Sequence, residues 1–213
     1  MTDTPWPIWD LVVRTERLEL RPVREADALE LVELADRGIH DPVTMPFLTP
    51  FTDLPPSERA RTSLQFYARW LADWTAESWV LPLAVRHEGR CIGLQSAEAT
   101  AFPVRRTVVT GSWLGSAHQG QGFGREMRLA VLSFCFGALG AVRAETSAFE
   151  DNDASLSVTL STGYRPNGWS WEVRRGERAR VLRYALDDEE WTDPDSVQVG
   201  GVTPDLLEQF GVD

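Results

Sequence analysis

The sequence predicts a single α/β (α+β) domain built on one mixed β-sheet. Segments of alternating or β-branched apolar residues, which favour strands, interleave with segments whose apolar residues recur at helical spacing. Hairpin signals stand early and late in this series, at Glu88-Gly89 and at Arg175-Gly176-Glu177. Interleaved strands and helices flanked by hairpins are typical of one layered domain with a mixed sheet.

Each predicted element has a local reason. Strands are predicted where apolar residues alternate or β-branched residues cluster, at residues 18–21, 79–86, 91–98, 107–114 and 142–149, with a final hairpin over 164–186. Helices are predicted where apolar stripes end at a glycine or begin at a capping residue, at residues 24–37, 58–75, 123–139 and 152–162. Residues 40–56, rich in Pro, Thr and Asp, predict a long ordered loop, and such loops are often functional.

The chain is expected to divide into an N-terminal arm (residues 1–13), one domain (14–186) and an acidic C-terminal tail (187–213). The tail contains a late apolar patch, Leu206, Leu207 and Phe210, which can pack on the same domain or on a partner, so a homo-oligomer stays open. Five tryptophans fit apolar faces and are expected to fill core or edge positions: Trp70, Trp74, Trp79, Trp169 and Trp171.

Composition excludes several functional classes. The 213 residues carry a net charge of -11 and contain no lysine, which argues against general nucleic-acid binding. Residues 1–9 lack the pattern of a signal peptide, and no apolar stretch is long enough to span a bilayer, so we expect a cytoplasmic protein without a membrane partner. No Cys/His cluster has metal-ligand spacing, and we expect no metal. The acidic surface favours cationic partners through electrostatic steering.

The two cysteines, Cys91 and Cys135, each stand among apolar residues. Two isolated cysteines do not form a disulfide framework, so buried, reduced thiols are expected. A covalent mechanism through a cysteine nucleophile is therefore disfavoured.

A glycine-rich turn after the fourth strand can be compared with three phosphate-binding patterns. The mononucleotide P-loop fails because Gln121 and Gly122 replace its Lys and Ser/Thr. The dinucleotide fingerprint fits poorly because Arg125 replaces its third glycine, although Glu145 lies at a plausible distance for a ribose-binding acid. A nicotinamide-dependent oxidoreductase therefore stays open as a minor alternative.

The third pattern, Q/R-x-x-G-x-G/A between a strand and a long helix, is met by Gln119, Gly122 and Gly124. Glycines allow close backbone approach to a pyrophosphate, and successive N–H groups and the helix dipole attract it. Arg125 and Arg128 can add positive charge there. By itself the hexapeptide could also be only a tight turn.

A wider set of residues resembles a known family. The segments Gly111-Ser112-Trp113-Leu114-Gly115 and His118-Gln119-Gly120-Gln121-Gly122-Phe123-Gly124, followed by Asn152, Ser155 and Gly163-Tyr164, resemble the GNAT acyltransferase superfamily. Within it they are similar to the RimJ/RimL-type branch, over about residues 14–186, and to a mycobacterial-type group in which succinyl-CoA can be the donor.

The resemblance implies a single GNAT domain with splayed parallel central strands (107–114 and 142–149), helices on both faces, and coenzyme A inserted between the strands. The backbone of Trp113 and Leu114 would pair with pantetheine, Leu114 N–H would stabilise the oxyanion, Asn152 would bond pantetheine and Ser155 would lie near the thioester sulfur. The pyrophosphate would be held by Gln119, Gly120, Gln121, Gly122, Phe123, Gly124 and Arg125. Asn152 can alternatively be a simple helix cap.

Two positions depart from the family pattern. Thr159 stands where many members carry the general-acid Tyr, and Val109 stands where many RimJ/RimL-type members carry the general-base Glu. The remaining candidates for a base are His40, Asp41 and Glu98. Direct attack without a strong base is a further alternative, since proximity can supply much of the acceleration.

The expected function is transfer of an acetyl or succinyl group from its CoA co-substrate to a primary amine, by direct attack in a ternary complex. The amine can belong to a small molecule, a protein N-terminus or a protein lysine. A non-catalytic acyl-CoA-binding or sensing protein is the alternative, because Val109 and Thr159 remove the usual base and acid.

Overall fold

A computed structural model describes residues 5–212 of the 213-residue chain. The first four residues of the predicted arm and the last residue of the predicted tail lie outside the described residues.

The described residues form one nine-stranded sheet in the order β7-β8-β6-β5-β4-β3-β2-β1-β9. Its strands are β1 Val12–Arg14, β2 Glu19–Pro22, β3 Ser78–His87, β4 Arg90–Thr100, β5 Thr107–Leu114, β6 Arg143–Phe149, β7 Arg165–Arg174, β8 Glu177–Asp187 and β9 Gln198–Gly200. Neighbouring strands are antiparallel except β5 and β6, which are parallel, so the prediction of a mixed sheet is confirmed.

The helices lie on both faces of this sheet. They are α1 Glu25–Arg37, α2 Pro56–Ala72, α3 Phe102–Arg105, α4 Phe123–Ser133, α5 Asp153–Ser161 and α6 Pro204–Gln209. The chain continues from α4 directly into a π-helical turn, Phe134–Ala138, and this π-turn lies within the single helix predicted over 123–139.

The two faces can be named from the strand register. In-register partners point to the same side, so Arg21, Leu94 and Trp113 share one face, here called the α1 face. Asp27 of α1 accepts a hydrogen bond from Arg21 on that face, at 2.8 Å. Ser112 lies on the opposite face, the α4 face, where Arg128 of α4 donates to its Oγ at 3.1 Å.

The central parallel pair is joined over only part of its length. β5 and β6 pair in three rows, from Thr107–Arg143 to Val109–Glu145. Beyond these rows β5 continues to pair with β4 as far as Leu114, and β6 continues to pair with β8 as far as Phe149. The sheet therefore forks between β5 and β6, which is the splayed arrangement that the family resemblance implies.

The sequence does not predict one pair of strands. β1 and β9 pair with each other at the sheet edge, and strands of three residues are too short for alternation to predict. Trp169 and Trp171, expected at core or edge positions, lie on the edge strand β7 and are about half exposed. Arg180 and Arg178 stack on these two rings at 4.6 and 4.3 Å, which shields part of their surface.

The C-terminal tail packs on the same chain. Phe210, which follows α6, is fully buried, and its ring lies 5.0 Å from that of Trp74 and 4.9 Å from that of Trp79. Phe134, at the start of the π-turn, contacts the same ring at 5.5 Å. The tail thus completes the hydrophobic core beside α2 and β3.

Replacing Phe210 by Ala is expected to lower the free energy of unfolding by about 3–5 kcal/mol, because it removes a fully buried ring and leaves a cavity among aromatic neighbours. Urea unfolding followed by circular dichroism measures this. Val202→Ala, at an exposed tail position, is the control and should change the value by less than about 0.5 kcal/mol. Equal stability of the two variants would show that the tail does not belong to the folding unit.

Candidate active site

The direction of the backbone groups at the fork follows from the strand register. Gly115 N–H donates to Ile92 O at 3.0 Å, so alternate residues of β5, including Trp113, direct their N–H and C=O toward β4. Ser112 and Leu114 consequently direct theirs into the gap. On the other side of the gap, Glu150 N–H donates to Arg180 O, so the even-numbered residues of β6 direct their backbone groups toward β8. The backbone N–H and C=O groups of the odd-numbered residues of β6 therefore face the gap.

The gap is lined by backbone groups without a strand partner in the described part of the chain. They are Ser112 N–H and C=O, Leu114 N–H, Ser147 N–H and C=O, and Phe149 N–H. Leu114 C=O accepts from Gln119 Nε2 at 2.9 Å, and Phe149 C=O accepts from Asn152 N–H at 3.0 Å. Two facing strand edges of this kind suit an extended ligand that carries amides.

This register corrects one expectation. Trp113 was predicted to offer its backbone to pantetheine, but its N–H and C=O belong to the β4–β5 ladder opposite Leu94. Ser112 takes that place beside Leu114. The Trp113 side chain is half-buried on the α1 face.

Side chains fix the point where the fork opens. Thr146 Oγ1 donates to Thr110 O at 2.9 Å, and Thr110 Oγ1 donates to Glu145 O at 3.3 Å. Arg128, 2% exposed, donates to Ser112 Oγ on one side of the fork and to Thr146 Oγ1 on the other, the latter at 3.4 Å. Arg128 therefore supports the fork from the α4 face and does not reach the pyrophosphate loop, contrary to the sequence expectation.

The glycine-rich turn follows β5 at the open end of the fork. Six successive N–H groups, from Gly120 to Arg125, have no backbone or side-chain acceptor among the described residues. Gly120 and Gly122 have φ values of +70° and +84°, which glycine adopts without steric cost. Consecutive free N–H groups that lead into the N-terminus of α4 form a concave anion site.

Gln119 braces this turn with its side chain. Besides Leu114 O, its Nε2 donates to Ile39 O at 2.6 Å, in the loop after α1. Its own N–H donates to Ser116 O at 3.3 Å. Gln119 therefore holds the turn in place, and the free donors begin at Gly120.

Arg17 and Glu126 brace the turn from the other side, which sequence reasoning missed because they belong to no motif. Arg17 Nη1 donates to Gln121 O at 3.0 Å, and its guanidinium lies 4.4 Å from the centre of the Phe123 ring. Arg17 Nε also donates to Glu126 at 2.8 Å. Desolvation opposes ionisation of Glu126, but hydrogen bonds from Thr15 and Arg17 outweigh it and lower its pKa.

The N-terminus of α5 follows β6 at the same open end. Asn152 caps α5, because its Oδ1 accepts from Ser155 N–H at 3.2 Å. Within residues 5–212, the Asn152 Nδ2 and the half-buried Ser155 Oγ have no hydrogen-bond partner, so both can serve a ligand. Thr159 is 1% exposed, so its side chain is buried inside the fold.

The loop after α1 holds two of the candidate bases in internal contacts. The His40 ring nitrogens pair with Asp41 O at 2.8 Å and with Thr52 Oγ1 at 2.7 Å. Asp41 Oδ1 accepts from Val43 N–H at 2.9 Å, an arrangement that fixes a local turn. Glu98, the third candidate, lies on β4 directly opposite Val109.

The same loop is tied to the β7–β8 hairpin. Arg175, at the hairpin turn, donates to both carboxylate oxygens of Asp53 at 2.8 and 2.6 Å and to the carbonyls of Pro42 and Val43. The hydrogen bonds and charge of Arg175 lower the pKa of Asp53. Since Ile39 also contacts Gln119, the loop runs from the glycine-rich turn to the hairpin.

Both thiols are unsuited to nucleophilic catalysis. Cys91 and Cys135 are buried and free, and desolvation raises the pKa of each to about 12.

Residues 17–165 match the family described as Acetyltransferase (GNAT) domain. The chain belongs to this family. The fork and the glycine-rich turn described above both lie within the matched residues of this GNAT domain, which confirms the family predicted from the sequence motifs.

Solved structures share the GNAT fold of this chain. Mycobacterium smegmatis RimJ in complex with CoA-disulfide has a TM-score of 0.71 at 22% identity, covering 89% of this chain and 92% of that one. RimL, a ribosomal alpha-N-protein acetyltransferase in complex with coenzyme A, has a TM-score of 0.67 at 18% identity, covering 83% and 97%. A GCN5-related N-acetyltransferase from Brucella melitensis has a TM-score of 0.68 at 16% identity, covering 84% and 80%.

The described part of this GNAT chain contains neither a metal-binding cluster nor a membrane-spanning helix. No group of three or more His, Cys, Asp or Glu side chains there could hold a metal ion. None of its helices combines the length and apolarity needed to cross a membrane.

Gly122→Ala is expected to weaken binding of coenzyme A about tenfold, because an Ala at φ +84° costs about 1–2 kcal/mol and turns the following N–H groups away from the anion. Isothermal titration calorimetry measures the affinity. Gly140→Ala is the matched control, since Gly140 also has a positive φ (+62°) but closes the π-turn away from the fork. An equal loss of affinity in both variants would mean that strain, and not the loop, controls binding.

Proposed function

We propose that this protein is a CoA-dependent N-acyltransferase of the RimJ/RimL type, which transfers an acetyl or succinyl group to a primary amine. The observation that carries the proposal is the slot between β5 and β6, whose unpaired backbone groups end at a run of six free N–H groups. An amide-containing arm attached to a pyrophosphate matches both parts, and coenzyme A has this composition.

In the proposed complex the pyrophosphate binds the N–H groups of residues 120–125, and pantetheine lies along Ser112 and Leu114. Asn152 Nδ2 donates to a pantetheine carbonyl, and Ser155 Oγ lies near the sulfur. The free hydrogen-bonding groups of Asn152 and Ser155 and their place at the open end of the fork support these roles.

The transfer proceeds by direct attack of the amine on the thioester carbonyl. Ser112 N–H faces the gap, has no strand partner among the described residues and lies deeper in the gap than Leu114 N–H, so it is the proposed oxyanion donor in place of Leu114. Direct attack requires no acyl-enzyme, and the two buried thiols with raised pKa support this route.

For the acceptor we propose a protein α-amine, with lysine and small-molecule amines as alternatives. RimL, one of the structurally similar proteins, is an alpha-N-protein acetyltransferase, and the net charge of -11 attracts cationic acceptors. A non-catalytic acyl-CoA sensor is the second candidate, favoured by Val109 and by the buried position of Thr159.

Thermal unfolding with acetyl-CoA, succinyl-CoA and NAD tests the cofactor. A CoA ester at 100 times its Kd adds about 2.7 kcal/mol, which raises the Tm by roughly 5–10 °C for a chain of this size. NAD should give no shift. Absence of a shift with both esters would refute the enzyme and the sensor together.

Thiol release then separates an enzyme from a sensor. The panel contains peptides that begin with Ser or Ala, Nα-acetyl-lysine amide and spermine, each with acetyl-CoA or succinyl-CoA. An enzyme releases CoA faster with at least one amine than without, whereas a sensor binds the ester and shows no amine-dependent release.

Asn152→Ala is expected to weaken acetyl-CoA binding about tenfold or more, because it removes a pantetheine donor and the cap of α5. Asp41→Ala, which alters a turn inside the loop after α1, serves as the comparison and should change the Kd less than twofold. Calorimetric titration measures the Kd for acetyl-CoA in both variants. Equal changes in Kd would show that α5 does not belong to the cofactor site.

A further inference from the structure

One row of the sheet places one carboxylate on each side of Val109. Val80 of β3, Glu98 of β4, Val109 of β5 and Glu145 of β6 are successive in-register partners. In-register partners share a face, and Val109 is four residues before Trp113 in β5, so this row lies on the α1 face. The row is also the last that joins β5 to β6, so it marks the closed end of the slot.

The acyl group of a bound CoA ester would lie beyond Ser112, toward the closed end of the slot. The pyrophosphate loop follows Leu114 at the open end, and Ser112 lies three strand positions from Val109, a span of about 10 Å. An arm that enters at the loop therefore presents its reactive end toward the row that contains Val109.

The two carboxylates of this row differ in their partners. Glu145 accepts a hydrogen bond from Arg143 Nε at 3.0 Å and is neutralised by it. Within residues 5–212, Glu98 has neither a hydrogen bond nor an ion pair. Its flanking partners in the row, Val80 and Val109, are both apolar, so its carboxylate is free to accept a proton.

We propose that Glu98 is the proton acceptor for the attacking amine and replaces, from the neighbouring strand, the carboxylate that Val109 lacks. This inference rests on the proposed acyltransferase function. Glu98 lies one strand spacing, about 5 Å, from the Val109 position on the same face, and a bridging water spans such a distance.

The electrostatic environment supports this role. Although part of its side chain reaches solvent, desolvation raises the pKa of Glu98, and no charged group contributes to the shift. The nearest charged side chains in its row belong to the Glu145–Arg143 pair, which lies two strands away. A carboxylate with a raised pKa is a stronger base at neutral pH.

The proton balance of the transfer is complete. The ammonium form of the acceptor gives one proton to Glu98 through water, and the neutral amine forms a C–N bond to the thioester carbonyl. The resulting oxyanion collapses, the C–S bond breaks, and the thiolate leaves with its electron pair. The second proton of the nitrogen passes to the thiolate, and Glu98 returns its proton to solvent.

The geometry disfavours the other candidate bases. The His40 ring and the Asp41 carboxylate are engaged inside the loop after α1. Glu145 is held by Arg143. Glu98 is the candidate that combines a place in the Val109 row with an unengaged carboxylate.

The test compares four variants, Glu98→Gln, Glu145→Gln, Glu33→Gln and the double variant Glu98→Gln/Val109→Glu, in thiol-release kinetics with acetyl-CoA and the most active panel amine. Glu33 lies exposed on α1 and is the matched control. Rates are recorded from pH 5 to 9. Acetyl-CoA binding is measured by thermal shift in each variant, which also verifies folding.

For Glu98→Gln we expect kcat to fall about 100-fold or more, with the acetyl-CoA thermal shift unchanged. The wild-type rate should decline toward acid both because Glu98 becomes protonated and because the amine does, and the variant should keep only the decline that belongs to the amine. Glu145→Gln and Glu33→Gln should keep the wild-type pH profile. Val109→Glu in the double variant should restore at least tenfold of the lost rate, because it returns a carboxylate to the same row.

A Glu98→Gln variant within threefold of the wild-type kcat, or with the wild-type pH profile unchanged, overturns the assignment while leaving the acyltransferase function in place. If no panel amine is acylated, the same comparison uses hydrolysis of acetyl-CoA, in which water is the acceptor. A wild-type protein that releases no thiol under either condition refutes the acyltransferase function itself, and the Glu98 assignment with it.

Discussion

The early end of the β5–β6 ladder is the constraint on which the rest of this structure depends. Polar backbone groups inside a sheet are normally paired, yet here six of them face a gap. Arg128 helps to hold that gap open from the α4 face, with one donor on each side of the fork. In the described part of the chain it is held by two hydroxyl oxygens and the Tyr164 ring and not by a carboxylate, and burying a cation without a counter-charge is costly, so the fork is built at the expense of stability.

The fork also arranges the chemistry along one line. Because β5 and β6 are parallel, their carboxyl ends open at the same edge, and each is followed by a helix N-terminus, that of α4 or that of α5. The anion-binding N–H groups and the free groups of Asn152 and Ser155 thus gather at the open end. At the closed end the backbone pairs again, and the side chains of the Val109 row replace backbone groups as the available chemistry.

Much of the fold and the phosphate-binding end could be predicted from the sequence, because periodicity and glycine spacing are local signals. The inward direction of Arg128, the bracing by Arg17 and the backbone direction of Trp113 depend on register and on contacts between distant segments. Trp169 and Trp171 alternate as a buried strand would, but β7 is the edge strand, and no sheet neighbour lies beyond it. Local sequence patterns cannot distinguish an edge strand from a buried one, nor can they show which distant segments come into contact.

The relation between Glu98 and Val109 shows why register matters for function. A shift of one residue along a strand would turn a carboxylate to the α4 face, where buried side chains pack. A carboxylate placed instead at the in-register position of the neighbouring strand stays on the α1 face and in the same row. The connection between β4 and β5 passes through α3, so tertiary packing, not a tight turn, sets their register. A missing carboxylate at one position can therefore be supplied by the facing strand without any change of topology.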